Sequence, residues 1–213
     1  MTELLIISLS GVAALVAEFL NLRKAILLLA LLSFIAVFLL TGMQLGYTET
    51  VYDMMSLDNF SRPFILVLCV LGFLWFWGFR SFFNQEKSAT DFFALTLFSC
   101  AGAFCLVSYS NLVMLFLGIE ILSIPVYVLA GSRKQDVAGN EAAFKYFLLG
   151  AMASAILLFG MALIYGSTGT FDMNTILSPE AMTSPNILLQ TGLVISLAAL
   201  SFKISAVPFH FWA

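Results

Sequence analysis

The chain reads as a series of long apolar runs cut by short polar interruptions. Apolar stretches fall at about 3-20, 25-42, 62-80, 91-109, 111-131, 141-166 and 187-213. A helix of about 20 residues crosses the ~30 Å hydrocarbon core of a bilayer, so each run is a candidate transmembrane helix. The runs are too continuous for the alternating strands of a barrel. Runs four and five are joined only by Ser108 to Asn111, which predicts an antiparallel helical hairpin. The polar stretch Met43 to Ser61, with Tyr47, Glu49, Asp53 and Asp58, is read as an ordered loop, a small hairpin or a short helix. Ser167 to Asn186, with Pro179 and Pro185, forms a further linker. In run six, Gly150, Ala151, Ala153, Ser154, Ala155 and Gly160 supply small residues that let helices approach closely.

Composition narrows the class to one. With 62% hydrophobic and 10% charged residues and a mean hydropathy of +1.04, the chain lies far from the roughly 25% charged content of soluble domains. An all-α polytopic membrane protein with about seven helices is expected. The net charge of -3 says less than where the charges fall. Arg23, Lys24, Arg80, Lys87, Arg133 and Lys134 occupy the first, third and fifth connections, and Arg62 stands on the other side. The positive-inside rule therefore places the N-terminus outside. Glu3, Glu49, Asp53, Asp58, Asp172 and Glu180 make that outer side acidic. Met1 to Leu20 lacks the basic start of a signal peptide and reads as a retained first span. Trp75, Trp77, Tyr109 and Tyr165 near span ends fit interfacial anchoring.

Several functions lack their sequence signatures. Cys69, Cys100 and Cys105 lie in apolar runs without a CxxC or haem-type motif and read as packing residues. The sequence contains no glycine-rich nucleotide loop, Walker sequence or metal-spaced His/Cys set, and it has one histidine. Redox chemistry, ATP hydrolysis and nucleic-acid binding are not expected of this chain, which is read as binding no cofactor itself.

The remaining chemistry is in charges that interrupt the apolar runs. Glu120 sits near the middle of run five. A charged side chain at mid-bilayer costs about 3 kcal/mol or more, so such residues face a bundle interior or a hydrated path and handle ions or protons. Pro125, five residues on, is expected to disturb the hydrogen bond back to Glu120 or Ile121. Lys145 and Lys203 interrupt runs six and seven. Lys145 follows Glu141 by four residues, a spacing that also fits an ion pair at the inner rim. Lys203 is followed by Pro208 and His210, which predicts a kink or unwinding just ahead of the proline. Broken backbone at membrane depth is tolerated where it is buried in protein or lines a hydrated cavity, and transporters use it for ion sites. His210 is a candidate proton carrier near that break. The apolar segment is still running at Ala213, so the chain is read as an N-terminal fragment.

Three segments carry a family resemblance: Leu115 to Ala130 around Glu120, Glu141 to Ala155 around Lys145, and Ser201 to Ala213 around Lys203 and His210. In order and spacing they resemble the antiporter-like membrane subunits of bacterial proton-translocating NADH-quinone oxidoreductase (respiratory complex I). The run Lys145 to Gly150 followed by Ala-Met-Ala-Ser-Ala is more similar to the N branch than to branches L and M. The resemblance implies about fourteen helices with two inverted repeats, each containing a broken helix. Residues 1-90 would be the first three helices, and 91-213 an incomplete first repeat. It also implies that Glu120, Lys145, Lys203 and His210 translocate protons, with the helix broken at Pro208 and disturbed at Pro125. NADH, FMN, iron-sulfur clusters and quinone would be bound by partner subunits. The implied partners are the antiporter-like subunit M, small subunits such as K and J, and the lipid of a bacterial inner membrane. A subunit of a multi-subunit sodium/proton antiporter and a structural membrane scaffold are the alternatives.

Overall fold

The computed structural model describes residues 1-20, 23-80, 89-133, 135-179 and 186-212. Lys87, Lys134, Glu180, Pro185 and Ala213 lie outside the described residues. The chain folds as α1 (Thr2–Phe19), α2 (Arg23–Met43), β1 (Glu49–Val51), β2 (Met55–Leu57), α3 (Ser61–Gly78), α4 (Ala89–Ser108), α5 (Leu112–Ala130), α6 (Val137–Thr168), the short α7 (Met173–Ile176), α8 (Ile187–Lys203) and a 3₁₀ turn at Phe209–Trp212. Among the described residues, α2 to α6 are long and apolar enough to cross a membrane, while α1 and α8 are shorter apolar helices.

Helix ends follow from local chemistry. The polar segment preceding run six belongs to α6: Asp136 is its N-cap, and its carboxylate accepts a hydrogen bond from the Gly139 amide at 3.1 Å. That cap begins the helix four residues ahead of the apolar run and gives it 32 residues. At its other end Gly169 takes φ 70°, the left-handed conformation that suits glycine, and its amide donates to Tyr165 O at 2.7 Å. The α3 start is held by Asp58, whose carboxylate accepts from the Phe60 and Ser61 amides at 2.9 and 2.8 Å. The Ser61 amide foremost keeps the Asp58 carboxyl below the usual carboxylate range.

The polar stretch between α2 and α3 forms a two-stranded antiparallel hairpin, with Glu49 opposite Leu57 and Val51 opposite Met55. Its turn places Tyr52 and Asp53 both at positive φ, and the Met54 amide closes it onto Val51 O at 3.0 Å. Three connections are stitched together at this end of the molecule. The Ser110 amide donates to Met54 O at 2.9 Å, the Met173 amide to Ser110 O at 3.1 Å, and the Leu112 amide to Phe171 O at 2.9 Å. The α4–α5 hairpin is thereby tied to the β-hairpin on one side and to the α6–α8 linker on the other.

Most buried apolar side chains among the described residues fall into two clusters. One unites α1 to α4 around Ile7, Phe34, Ile65, Phe76, Phe93 and Phe104. The other unites α5, α6, α7 and α8 around Leu112, Ile119, Leu157, Ile164, Ile176 and Leu189. Trp75 faces the first cluster, stacked on Phe79 and Phe92, so it packs as core more than as an interfacial anchor. Trp77 is exposed and carries the Arg80 guanidinium 4.8 Å above its ring, which fits the anchoring role.

One helix expectation needs correction, at Pro125. The seventh run stops short of Pro208: α8 ends at Lys203. The Ser205 amide donates to Phe202 O at 3.1 Å and the Ala206 amide to Ser201 O at 2.9 Å. Ser205, at φ 55°, holds the left-handed position usually given to glycine, so a Schellman-type cap stops the helix ahead of Pro208. Pro125, by contrast, does not break its helix, because α5 runs through it from Leu112 to Ala130. The proline sits where α4 presses closely on α5: a β-carbon at Gly102 would stand 2.7 Å from Leu122 Cα and 2.8 Å from the Ile121 carbonyl carbon. There the Ser99 hydroxyl donates to Leu122 O at 3.0 Å. A neighbouring helix that supplies a hydroxyl to the carbonyls near a proline is how membrane helices retain one.

Candidate functional site

Glu120 lies eight residues into α5, and Tyr127 follows it by seven residues, two helical turns further along the same face. Both meet α8, which brings Lys203 to them from 83 residues away. The Lys203 ammonium lies 3.4 Å from Glu120 Oε1 and donates to the Tyr127 hydroxyl at 3.1 Å. The α6 side chain Ser154 donates to the same Glu120 oxygen and lies 3.0 Å from Gly150 O of its own helix. Three helices therefore converge on one carboxylate.

The position of Lys203 is fixed by packing and by the helix end. The α6–α8 crossing is tight: a β-carbon at Gly192 would lie 2.8 Å from Gly160 O and 2.9 Å from the Ile164 amide nitrogen. Small residues at that crossing bring the two backbones together. Lys203 is the last residue of α8, where the negative end of the helix dipole favours a cation. The cap at Ser205 then turns the chain away and leaves the ammonium facing α5.

The pair is partly enclosed. The Lys203 side chain is 11% exposed and the Glu120 side chain 21%. A cavity of about 370 Å³ adjoins it, lined by Leu115, Ile119, Tyr127, Tyr146, Leu200 and Lys203 among others. An acid and a base at this separation can exchange a proton, or hold and release one another as either changes charge. Among the described residues no group of three or more His, Cys, Asp or Glu is placed to hold a metal ion.

The other expected residues lie apart from this pair. Lys145 is 66% exposed and pairs with Glu141 on the surface of α6. His210 is exposed on the 3₁₀ turn after the break. Tyr127 and Ser154 were not singled out as site residues by the sequence, although Tyr127 follows Glu120 at a same-face spacing and Ser154 stands in the small-residue run of α6.

A second buried pair was also unforeseen. Arg62 and Glu3, counted as outer-side charges, are 1% and 2% exposed and lie 3.6 Å apart. Arg62 also donates from Nε to Tyr47 O at 3.0 Å and from Nη1 to Gln44 Oε1 at 2.7 Å. The pair bolts the start of α1 to the start of α3 and the end of α2.

Residues 109–213 match the family model described as "NADH:quinone oxidoreductase/Mrp antiporter, TM". Over its whole length the chain is 43% identical to NADH-quinone oxidoreductase subunit N of Cytophaga hutchinsonii, covering 46% of that protein. It is 40% identical to the subunit of the same name from Flavobacterium johnsoniae, again over 100% of this chain and 46% of the relative. Among solved structures, respiratory complex I from Thermus thermophilus contains a chain that superposes with a TM-score of 0.81 at 28% identity, covering 99% of this chain and 45% of that one. The chain thus spans about half the length of the curated relatives it matches.

Proposed function

We propose that this chain, which belongs to the NADH:quinone oxidoreductase/Mrp antiporter transmembrane family, handles protons in a membrane-arm subunit of NADH-quinone oxidoreductase. The observation that carries the reading is the Glu120–Lys203 pair, an acid and a proton-releasing base held 3.4 Å apart beside a helix break. A carboxylate and an ammonium in this arrangement form a switch: when the partner charge moves away, the ammonium binds its proton less tightly and can pass it on. The energy would come from NADH oxidation and quinone reduction in partner subunits that hold FMN and iron-sulfur clusters. Subunit M and small subunits such as K and J are the proposed neighbours in a bacterial inner membrane.

The rest of the reading follows the same line. Helices α1, α2 and α3 would be the N-terminal spans of residues 1-90, and 91-213 would belong to the first of two inverted antiporter-like repeats, in a full fold of about fourteen helices. With α1 and α8 also crossing the membrane, the chain would make seven spans. The N-terminus would lie outside, since the basic residues concentrate in the first, third and fifth connections. Arg62, the basic residue that departs from that pattern, is buried against Glu3 and is no loop charge at all. His210 would serve proton entry or exit around the central pair, and Lys145, exposed with Glu141 on α6, would contribute at most a small effect at that entry.

The test is Glu120→Gln in the full-length protein within its membrane complex. Proton uptake per NADH oxidised in reconstituted vesicles is expected to fall while assembly persists, and unchanged uptake would remove Glu120 from the mechanism. Uptake that requires sodium would favour the antiporter alternative. Relatives at 40% identity or more that carry the quinone oxidoreductase name favour the first reading.

A further inference from the structure

The bare Cα of Gly150 and the hydroxyl of Tyr127 form a unit that the family resemblance did not single out. A β-carbon at Gly150 would stand 2.6 Å from the Tyr127 ring carbon Cζ and closer still to its hydroxyl oxygen. No flexible end could swing clear of it, because the tyrosine is 7% exposed and wedged edge-on against Tyr146, with ring centroids 4.6 Å apart. Gly150 is therefore the recess into which the phenol end of Tyr127 fits. The same hydroxyl accepts a hydrogen bond from the Lys203 ammonium at 3.1 Å, and that ammonium lies 5.8 Å from the centroid of the Tyr127 ring.

We infer that Tyr127 is a positioning residue for the Lys203 charge, the neutral partner that keeps the ammonium in place when its contact with Glu120 opens, and that Gly150 is the seat that sets it. The inference rests on the proton-handling reading of the Glu120–Lys203 pair. Its logic is geometric. The Lys203 ammonium has two oxygen partners on one face of α5, the Glu120 carboxylate and the Tyr127 phenol, and of the two only the carboxylate is an ionic partner. Glu120 Oε1 is shared with the Ser154 hydroxyl, so the carboxylate keeps a partner on α6 if it leaves Lys203. The lysine would then be left in a mostly apolar cavity beside the aromatic residues Tyr127 and Tyr146. Tyr127 lets it stay there without an orphaned ammonium, whose burial would be costly. The pair can therefore open without Lys203 leaving its place.

The experiment compares Tyr127→Phe, Gly150→Ala and the double variant with Glu120→Gln, all in the full-length subunit of the assembled complex. Proton uptake per NADH oxidised is measured in membrane vesicles across a range of pH. Tyr127→Phe keeps the ring packing and removes only the oxygen. An ammonium with one partner fewer holds its proton less tightly, so the alkaline limb of the uptake profile is expected to move to lower pH by about one unit. Gly150→Ala displaces the same hydroxyl without touching a charge and is expected to produce the same shift. The double variant is expected to add little to either change, because both remove one contact. A Tyr127→Phe profile matching the unsubstituted complex, with Glu120→Gln still defective, would overturn this inference and leave the role of the pair intact. Normal uptake in Glu120→Gln would instead overturn the reading on which it rests. Additive shifts in the double variant would separate Gly150 from Tyr127 and refute the seat. If Gly150→Ala fails to assemble, the Tyr127→Phe profile alone decides the role of the tyrosine.

Discussion

Glu3–Arg62 and Glu120–Lys203 are both ion pairs that join helices distant in sequence, yet their surroundings differ in every respect that matters for movement. The first is sealed, at 2% and 1% exposure, in the part of the molecule built on the α1 to α4 core. Its guanidinium is held by two further hydrogen bonds to fixed neighbours. The second is partly open, adjoins a cavity, and uses a lysine at a helix end. Arginine stays protonated under any physiological condition and its planar fork suits a fixed network, whereas lysine changes charge readily when its environment changes. A buried ion pair is thus no sign of transport by itself. The choice of base, the enclosure and the adjoining space separate a bolt from a switch.

The largest effect that would break the comparison is structural. Arg62→Met should leave the Glu3 carboxylate with the N-terminal amine, 3.0 Å away, as its remaining ionic partner. Removing one member of a buried pair costs about 3–5 kcal/mol, so the apparent melting temperature of the purified full-length protein should fall markedly. Exchanging both members for apolar residues, Glu3→Leu with Arg62→Met, should recover much of the loss, since a sealed pair is replaceable by packing. If the double exchange assembles and melts normally but abolishes proton uptake, the first pair is part of the switch and the contrast fails.

The next effect is functional and should leave stability alone. Lys203→Arg keeps the charge at the end of α8 but cannot release a proton near neutral pH. Transport through this subunit should be blocked about as fully as by Lys203→Ala, with assembled complex present in normal amount. Vesicles that take up protons at the unsubstituted rate with Lys203→Arg would demote the lysine to an electrostatic anchor, the same class as Arg62.

The two pairs also differ in how far they could be read in the sequence. Glu120 and Lys203 were visible because each interrupts an apolar run, and a charge in such a run has few bland explanations. Their meeting across 83 residues was not, since neither hydropathy nor spacing encodes which helix faces which. Arg62 and Glu3 were misjudged as ordinary end-of-span charges because both stand within the first turns of their helices, where exposure is the default. The α6 start was placed too late for a similar reason: the apolar run begins at 141, but the Asp136 cap begins the helix in polar sequence. Pro125 was overestimated because α5 runs through it where α4 packs closely at Gly102 and Ser99 donates to the nearby Leu122 O, contacts that exist only once the hairpin has folded.

Lys145 offers the smallest and most discriminating change. The resemblance implies it as a member of the proton path, while its spacing from Glu141 also fits an ion pair at the rim; the structure shows that pair on the outside of α6, with both side chains well over half exposed. An exposed pair at i,i+4 contributes little to stability, and its charge is screened by salt and solvent. If this pair is a surface contact, Lys145→Ala should leave proton uptake per NADH oxidised nearly unchanged and should not move its pH profile. The contrast with Lys203→Ala, measured in the same vesicles, is the informative quantity. A deficit in Lys145→Ala approaching that of Lys203→Ala would mean that the outer face of α6 is covered in the assembled complex and that this lysine titrates there, as a third charge in line with the pair. A further comparison, Glu141→Gln, separates the two cases: a surface contact predicts the same near-silence from either partner, whereas a proton carrier predicts that loss of the lysine is worse than loss of the acid.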